Sequence, residues 1–178
     1  MRKIALQYFR TDLGELILGS FNERLCLCDW RYRKMRDSID RRLAEDLDAH
    51  FVDAETRVTN LAKEQLKEYF SGNRTCFDIP LLMVGSAFQK RVWDALLEIP
   101  YGKTESYMGL TKKIGDGKAI RAVAAANGAN AISIFIPCHR IIGRDGKLTG
   151  YGGGLEAKRQ LLRLEMSGQT RDQMTLFC

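Results

Sequence analysis

An α+β fold is expected for this chain of 178 residues, with a small antiparallel sheet and helices first and a mostly helical second half. Three observations lead there. Apolar, β-rich runs separated by turn residues crowd the first thirty positions. Stripes at helical spacing, several opened by capping residues, recur further along. A short-helix, glycine-turn, short-helix outline after Ser106 suggests a winged-helix-like helix-turn-helix.

Lys3 to Phe9 reads as the first strand, Leu13 to Gly19 as the second, and Arg24 to Trp30, after Asn22-Glu23, as the third. From Tyr32 to His50 the chain is highly charged, with Ile39, Leu43 and Leu47 four residues apart, which predicts a solvent-exposed amphipathic helix. Asn60 is expected to cap a helix running to Phe70, with Leu61, Leu66, Tyr69 and Phe70 inward and Ser71-Gly72-Asn73 ending it. Residues 1–80 form a supporting α/β domain on this reading, 81–168 a second domain and 169–178 a tail. Cys76 to Gly85 is an apolar bridge between the halves. Ser86 and Gln89 have capping-box spacing. Phe88, Val92, Trp93, Leu96 and Leu97 then make a core stripe that Ile99-Pro100-Tyr101-Gly102 stops. Ser106 caps a short helix through Lys113, Gly115-Asp116-Gly117 turns, and Lys118 begins an Ala-rich helix with Arg121 inside it. Ala131 to Ile136 reads as a buried strand.

Bulk composition narrows the class. The chain is 45% hydrophobic and 28% charged, ordinary for a globular protein. Its first ten residues lack a continuous apolar core and no stretch suits a bilayer, so a cytoplasmic location with no membrane partner is expected. The five cysteines are odd in number and suggest reduced thiols. Cys26 and Cys28 fit one face of a strand. A zinc site combining them with His50 and Cys76 is the weaker reading, because Cys-x-Cys is not the usual Cys-x-x-Cys clip. No metal or cofactor is expected. Between Ser86 and Glu165 there are 13 Lys/Arg against 7 Asp/Glu, an excess equal to the whole net charge of +6. Such asymmetry suits a polyanion, of which nucleic acid is the commonest.

Pro137-Cys138-His139-Arg140 is the chemical centre. Cationic neighbours favour a thiolate, and the thiolate is the nucleophile. In extended backbone adjacent side chains point oppositely, so His139 is expected to act on Cys138 through a water, with a carboxylate behind its ring.

Pro137-Cys138-His139-Arg140-Ile141-Ile142-Gly143 resembles the acceptor motif of the methylated-DNA–protein-cysteine methyltransferases, also called O6-alkylguanine-DNA alkyltransferases. Phe88-Gln89-x-x-Val92-Trp93, Ile99-Pro100-Tyr101-Gly102 and Thr104-x-Ser106-Tyr107 follow the family order. So do Ala119-x-Arg121-Ala122-Val123, Ala126-Asn127-x-x-Asn130, Gly150-Tyr151-x-Gly153-Gly154 and Lys158-x-x-Leu161-Leu162-x-x-Glu165. The similarity spans residues 85–166.

The resemblance implies a single-turnover repair protein that flips an alkylated guanine from duplex DNA and moves its alkyl group irreversibly onto Cys138. O4-alkylthymine is a second candidate substrate. It implies that His139 relays through water with Glu165 behind it, that Tyr107 donates to the base, and that Asn130 braces the cysteine loop. Arg121 would fill the gap in the base stack, with Lys118, Ala119, Ala122, Ser106 and Arg140 as further DNA-binding residues. Tyr151, Gly152 and Ile141 would line the base pocket, the last through its carbonyl. The implied partner is double-stranded DNA, bound through the minor groove by a monomer. Ala131, Gly117, Gly152 and Lys103 differ from common family choices (Pro, Pro, Ser and an acidic residue), and none removes a required chemical group. The rival readings are a non-catalytic lesion-binding relative, a Cys-His hydrolase and a transcription factor. Cys138 opposes the first, the adjacent Cys-His pair the second, and the third leaves Cys138, His139 and Glu165 unexplained.

Overall fold

The computed structural model describes residues 2–115 and 117–168. The expected tail, 169–178 with its Cys178, and Asp116 of the expected turn lie outside the described residues.

Three strands, β1 (Arg2–Thr11), β2 (Gly14–Phe21) and β3 (Arg24–Trp30), form an antiparallel meander near the positions that the alternation indicates. The tight β2–β3 turn holds Asn22 and Glu23 at positive φ, 48° and 56°. A fourth strand was not foreseen. The charged helix is shorter than Tyr32 to His50: α1 covers Arg36–Leu47, Asp48 ends it in the left-handed conformation, and β4 (Ala49–Asp53) pairs parallel to β1. The sheet order is therefore β3-β2-β1-β4, antiparallel except at one edge. His50, Phe51 and Val52 carry too weak an alternation to announce a strand; β1 supplies the pairing that makes one. Although α1 is mostly charged, it buries Arg36, Ile39 and Leu43.

Helix α2 (Arg57–Phe70) starts four residues earlier than expected. Thr56, not Asn60, is its N-cap, in a reciprocal box with Thr59. The shift turns Leu61 to solvent, while Val58, Ala62, Leu66 and Tyr69 face inward. Asn60 instead accepts from the Gln7 side chain at 3.0 Å.

Helix α3 (Ala87–Leu97) has the expected Ser86–Gln89 capping box. Its Trp93 is buried and donates to the Ala126 carbonyl at 2.8 Å. Leu97, placed in the stripe by its spacing, is largely exposed. After the two-residue β5 (Glu105–Ser106), Ser106 caps α4 (Tyr107–Lys113), as expected. Helix α5 (Ile120–Gly128) begins after Ala119, two residues beyond Lys118.

Ala131 to Ile136 is buried throughout but is not a strand. Ile132 bridges Cys28, Ser133 bridges Ile136, and Ile134 sits at φ 74° between them. The segment turns on itself against β3, so its apolar run reflects burial, not extension. A 3₁₀ turn (Cys138–Arg140), the short β6 (Ile141–Ile142) beside β5, and α6 (Gly154–Gly168) complete the described chain.

One apolar core runs through both halves, from Ile4 and Leu18 to Trp93, Val123 and Leu161. Cys26 and Cys28 lie fully inside it. Those two and Cys138 are free thiols, whereas Cys76 is disulfide-bonded, against the expectation of reduced cysteines.

Candidate active site

Glu165 organises the site. It is fully buried on the inner stripe of α6, where Ala157, Lys158, Leu161 and Leu162 also face inward. Its Oε1 accepts from His139 Nε2 at 2.8 Å, Tyr69 OH at 2.8 Å and Arg140 Nη2 at 3.0 Å. Its Oε2 accepts from Arg140 Nε at 2.9 Å and the Gly102 amide at 3.1 Å. Burial pushes this carboxyl up, but His139 and Arg140 outweigh it and hold the group below the usual carboxylate range. The carboxylate expected behind the imidazole is in place.

His139 is fully buried, and burial lowers its pKa against the opposing pull of Glu165. The direction follows from the neighbours. Arg140 already compensates the Glu165 charge, so the buried imidazole has no need to carry a second cation. A neutral ring donating Nε2–H to Glu165 leaves Nδ1 as an acceptor, and Nδ1 has no hydrogen-bond partner among the described residues. This atom is open to accept a proton.

Cys138 opens a 3₁₀ turn instead of following a strand, and it is 5% exposed. It lines a cavity of about 830 Å³ together with Tyr107, Asn127, Tyr151, Gly152 and Gly153. The other wall comes from the first half of the chain, through Trp30, Arg31, Tyr32 and Arg33. Burial raises the Cys138 pKa, opposed by a hydrogen bond from Asn130 and the charges of Arg33 and Lys158. The resting group is a thiol that needs a base. Asn130 ties the loop together: Nδ2 donates to the Ile136 carbonyl at 2.9 Å and Oδ1 accepts from the Ile132 amide at 2.9 Å.

Tyr151 stands edge-on to both Trp30 and His139, at centroid distances of 6.0 and 6.3 Å. Gly153 is packed too closely for a larger residue, and Gly152 fits one only if Arg33 shifts. A Cβ on Gly153 would meet the Trp30 ring at 2.4 Å, and one on Gly152 would meet Arg33 at 3.0 Å. Arg121 and Ala122 lie on the exposed side of α5, with Lys118 and Ala119 at its start and Ser106 capping α4.

Two assignments need correction. Arg140, expected at the DNA, is buried against Glu165 and donates to the Ile99 carbonyl at 2.6 Å. Its cationic influence is directed at the carboxylate, not outward. Ile141, expected in the base pocket, is fully buried and not among the residues lining the cavity. Its carbonyl accepts from Lys158 Nζ at 2.5 Å.

Two buried cations escaped the sequence reading as site residues. Lys158 also reaches the carbonyls of Thr149 and Gly150, at 2.6 and 3.4 Å, and burial lowers its pKa to about 8. A signal existed: Lys158, Leu161, Leu162 and Glu165 are spaced i, i+3, i+4, i+7, a stripe normally all apolar but charged here at both ends. Arg33 gave none, because it lies 97 positions from its partner Asn130.

A family model described as 6-O-methylguanine DNA methyltransferase, DNA binding domain, matches residues 87–167. A methylated-DNA–protein-cysteine methyltransferase of Mycobacterium tuberculosis (strain H37Rv) is 55% identical over 116 residues, 65% of this chain and 70% of its own length. The constitutive methylated-DNA–protein-cysteine methyltransferase of Bacillus subtilis (strain 168) is 41% identical over 156 residues, 87% of this chain and 91% of its own. The crystal structure of Mycobacterium tuberculosis OGT in complex with DNA matches with a TM-score of 0.80 at 40% identity, covering 92% of this chain and 94% of that one. On this similarity, which extends through both halves of the fold, the chain belongs to the methylated-DNA–protein-cysteine methyltransferase family.

Proposed function

We propose that the protein repairs DNA directly, taking the alkyl group of O6-alkylguanine onto Cys138 in a single, irreversible turnover. The carrying observation is the thiol at the edge of a large cavity, with a neutral His139 behind it whose Nδ1 has no partner among the described residues and whose Nε2 is held by Glu165. In the reaction the Cys138 proton passes through one water to Nδ1, and Glu165 stabilises the imidazolium that forms. The sulfur attacks the alkyl carbon. The C–O6 bond breaks, its electron pair goes to the purine, and Tyr107 donates a hydrogen bond that makes the base a better leaving group. The product is a thioether. Water does not displace a thiolate from such a carbon, so each molecule acts once.

DNA enters this proposal through α4 and α5. The small residues Ala122, exposed, and Ala119, half-buried, allow close approach to a minor groove, and Arg121 replaces the flipped base in the stack. Lys118 and Ser106 flank that surface. A winged-helix-like mode, action as a monomer and a cytoplasmic location complete the reading. Among the described residues no helix is long and apolar enough to cross a membrane.

Intact-protein mass spectrometry after incubation with a duplex carrying one O6-methylguanine tests it, with Cys138→Ser alongside. One methyl adduct, mapped to Cys138 and missing from the variant, is expected. Lesion-selective binding without an adduct would replace this reading with a damage-flagging one.

A further inference from the structure

The turn between β3 and α1 belongs to the first half of the chain, yet it reaches the acceptor loop. Arg33 Nη1 donates to the Asn130 carbonyl at 3.0 Å, and Nη2 donates to the Gly128 carbonyl. The same guanidinium is held by Asp29, with Nη1 at 3.0 and 3.2 Å from its two oxygens. The Arg33 side chain is 7% exposed and that of Asp29 is fully buried. Asp29 also takes Arg36 Nη1 at 3.3 Å and the Ser133 hydroxyl at 3.3 Å. Arg33 therefore grips the backbone of Asn130, the residue whose side chain both braces the loop and hydrogen-bonds the Cys138 sulfur. Charge reinforces position. The groups that face Cys138 are Arg33 from this turn, Cys28 and Asp29 from β3, Lys158 from α6 and Tyr151 from the loop before α6. His139, Arg140 and Glu165 stand behind it. Among them Arg33 favours the thiolate and Asp29 opposes it.

We propose that Arg33 is a positioning residue for alkyl transfer. It holds the Gly128 and Asn130 carbonyls and places a positive charge beside the sulfur, so the first half of the chain sets the reactivity of a nucleophile in the second. The inference rests on the alkyl-transfer reading and assigns that half a role beyond support.

The test compares wild type with Arg33→Gln, Arg33→Lys and Asp29→Asn. Two rates are measured against pH: carbamidomethylation of Cys138 by iodoacetamide, mapped by peptide mass spectrometry, and alkyl transfer from a free O6-alkylguanine base. Removing a neighbouring cation typically shifts a titration by about one pH unit or more. Less thiolate, partly offset by the greater nucleophilicity of a more basic one, leaves Arg33→Gln about threefold slower at pH 8 toward iodoacetamide, and alkyl transfer slows too, because the relay to His139 then generates a less favoured thiolate. Arg33→Lys returns toward wild type, and Asp29→Asn, which removes the opposing charge, becomes faster. Opposite signs at two bonded partners distinguish reactivity from scaffolding, since a structural defect slows both. The proposal is overturned if Arg33→Gln and Asp29→Asn both slow, or if neither changes. Should Arg33→Gln fail to fold, Asp29→Asn decides alone: faster supports, unchanged or slower overturns. Wild type that reacts with iodoacetamide but accepts no alkyl group refutes the repair reading instead, which keeps the two failures apart.

Discussion

Glu165→Gln removes one charge from a buried cluster and leaves Arg140 uncompensated, with Tyr69, His139 and the Gly102 amide facing a weaker acceptor. Breaking such a pair is expected to cost about 3–5 kcal/mol, read by urea unfolding. The folded carboxyl titrates below its ordinary value of 4.5, so its contribution is complete above that pH and is lost as pH falls further. Acid titration should therefore weaken wild type below pH 4.5 more steeply than the Gln variant. His139 has the same sign for a different reason. Its folded pKa lies below 6.5, so the unfolded chain takes the proton first and stability declines as pH drops through 6.5. Catalysis inherits a window from both groups. With His139 titrating below 6.5 and the Cys138 thiol above 9.0, transfer from a free base should be nearly level between those values. A rate rising tenfold per pH unit across that range would mean that free thiolate, not the relayed pair, is the reactant. Cys138 and His139 were legible as candidates from one motif, whereas Glu165 came only with the family resemblance. The true orientation of Arg140 was not legible, since adjacency in sequence says nothing about which partner a long side chain finds.

Among the elements, α4 depends most on its cap. It has seven residues, and Ser106 Oγ accepts from the Gly109 amide at 2.9 Å. Ser106→Ala should cost about 1 kcal/mol in thermal or urea unfolding and loosen the first turn, where Tyr107 sits. Arg121 tests α5 differently. Its replacement by Ala should slow repair in duplex DNA while sparing reaction with a free base analogue, and equal losses on both would remove it from the base-replacing role. Caps with strong local chemistry, such as Ser86–Gln89 and Ser106, were readable from the sequence. The α2 cap was misplaced because Thr56 and Asn60 both precede helical patterns, and the box with Thr59 decides between them. Ala131 to Ile136 failed for a related reason: a buried apolar run looks the same whether extended or folded back, and only the bridges to Cys28 and within the segment distinguish them.

Across the whole molecule the halves are joined where the chemistry occurs. Tyr69 of α2 donates to Glu165 of α6, Arg33 holds Asn130, and Cys28 exchanges backbone hydrogen bonds with Ala131 and Ser133 at 2.9 and 2.6 Å. Tyr69→Phe removes a hydrogen bond to a buried carboxylate and should cost about 1.5–3 kcal/mol. With a shared core, sheet and acceptor site should still unfold in one transition when followed by circular dichroism and by Cys138 labelling; two separated transitions would show that the halves are energetically independent. By itself the sequence determined the local features: three strands from alternation, helices from stripes and caps, and a candidate nucleophile beside a histidine from a motif. Each is encoded within a few residues, where periodicity and side-chain chemistry act. The tertiary structure decided which strand β1 accepts at its free edge, which carbonyls Lys158 satisfies and which way Arg140 points. It also brought Asp29 and Arg33 to the acceptor loop. Those outcomes depend on contacts between residues up to about a hundred positions apart, and a buried charge takes whichever partner the packed chain places within reach.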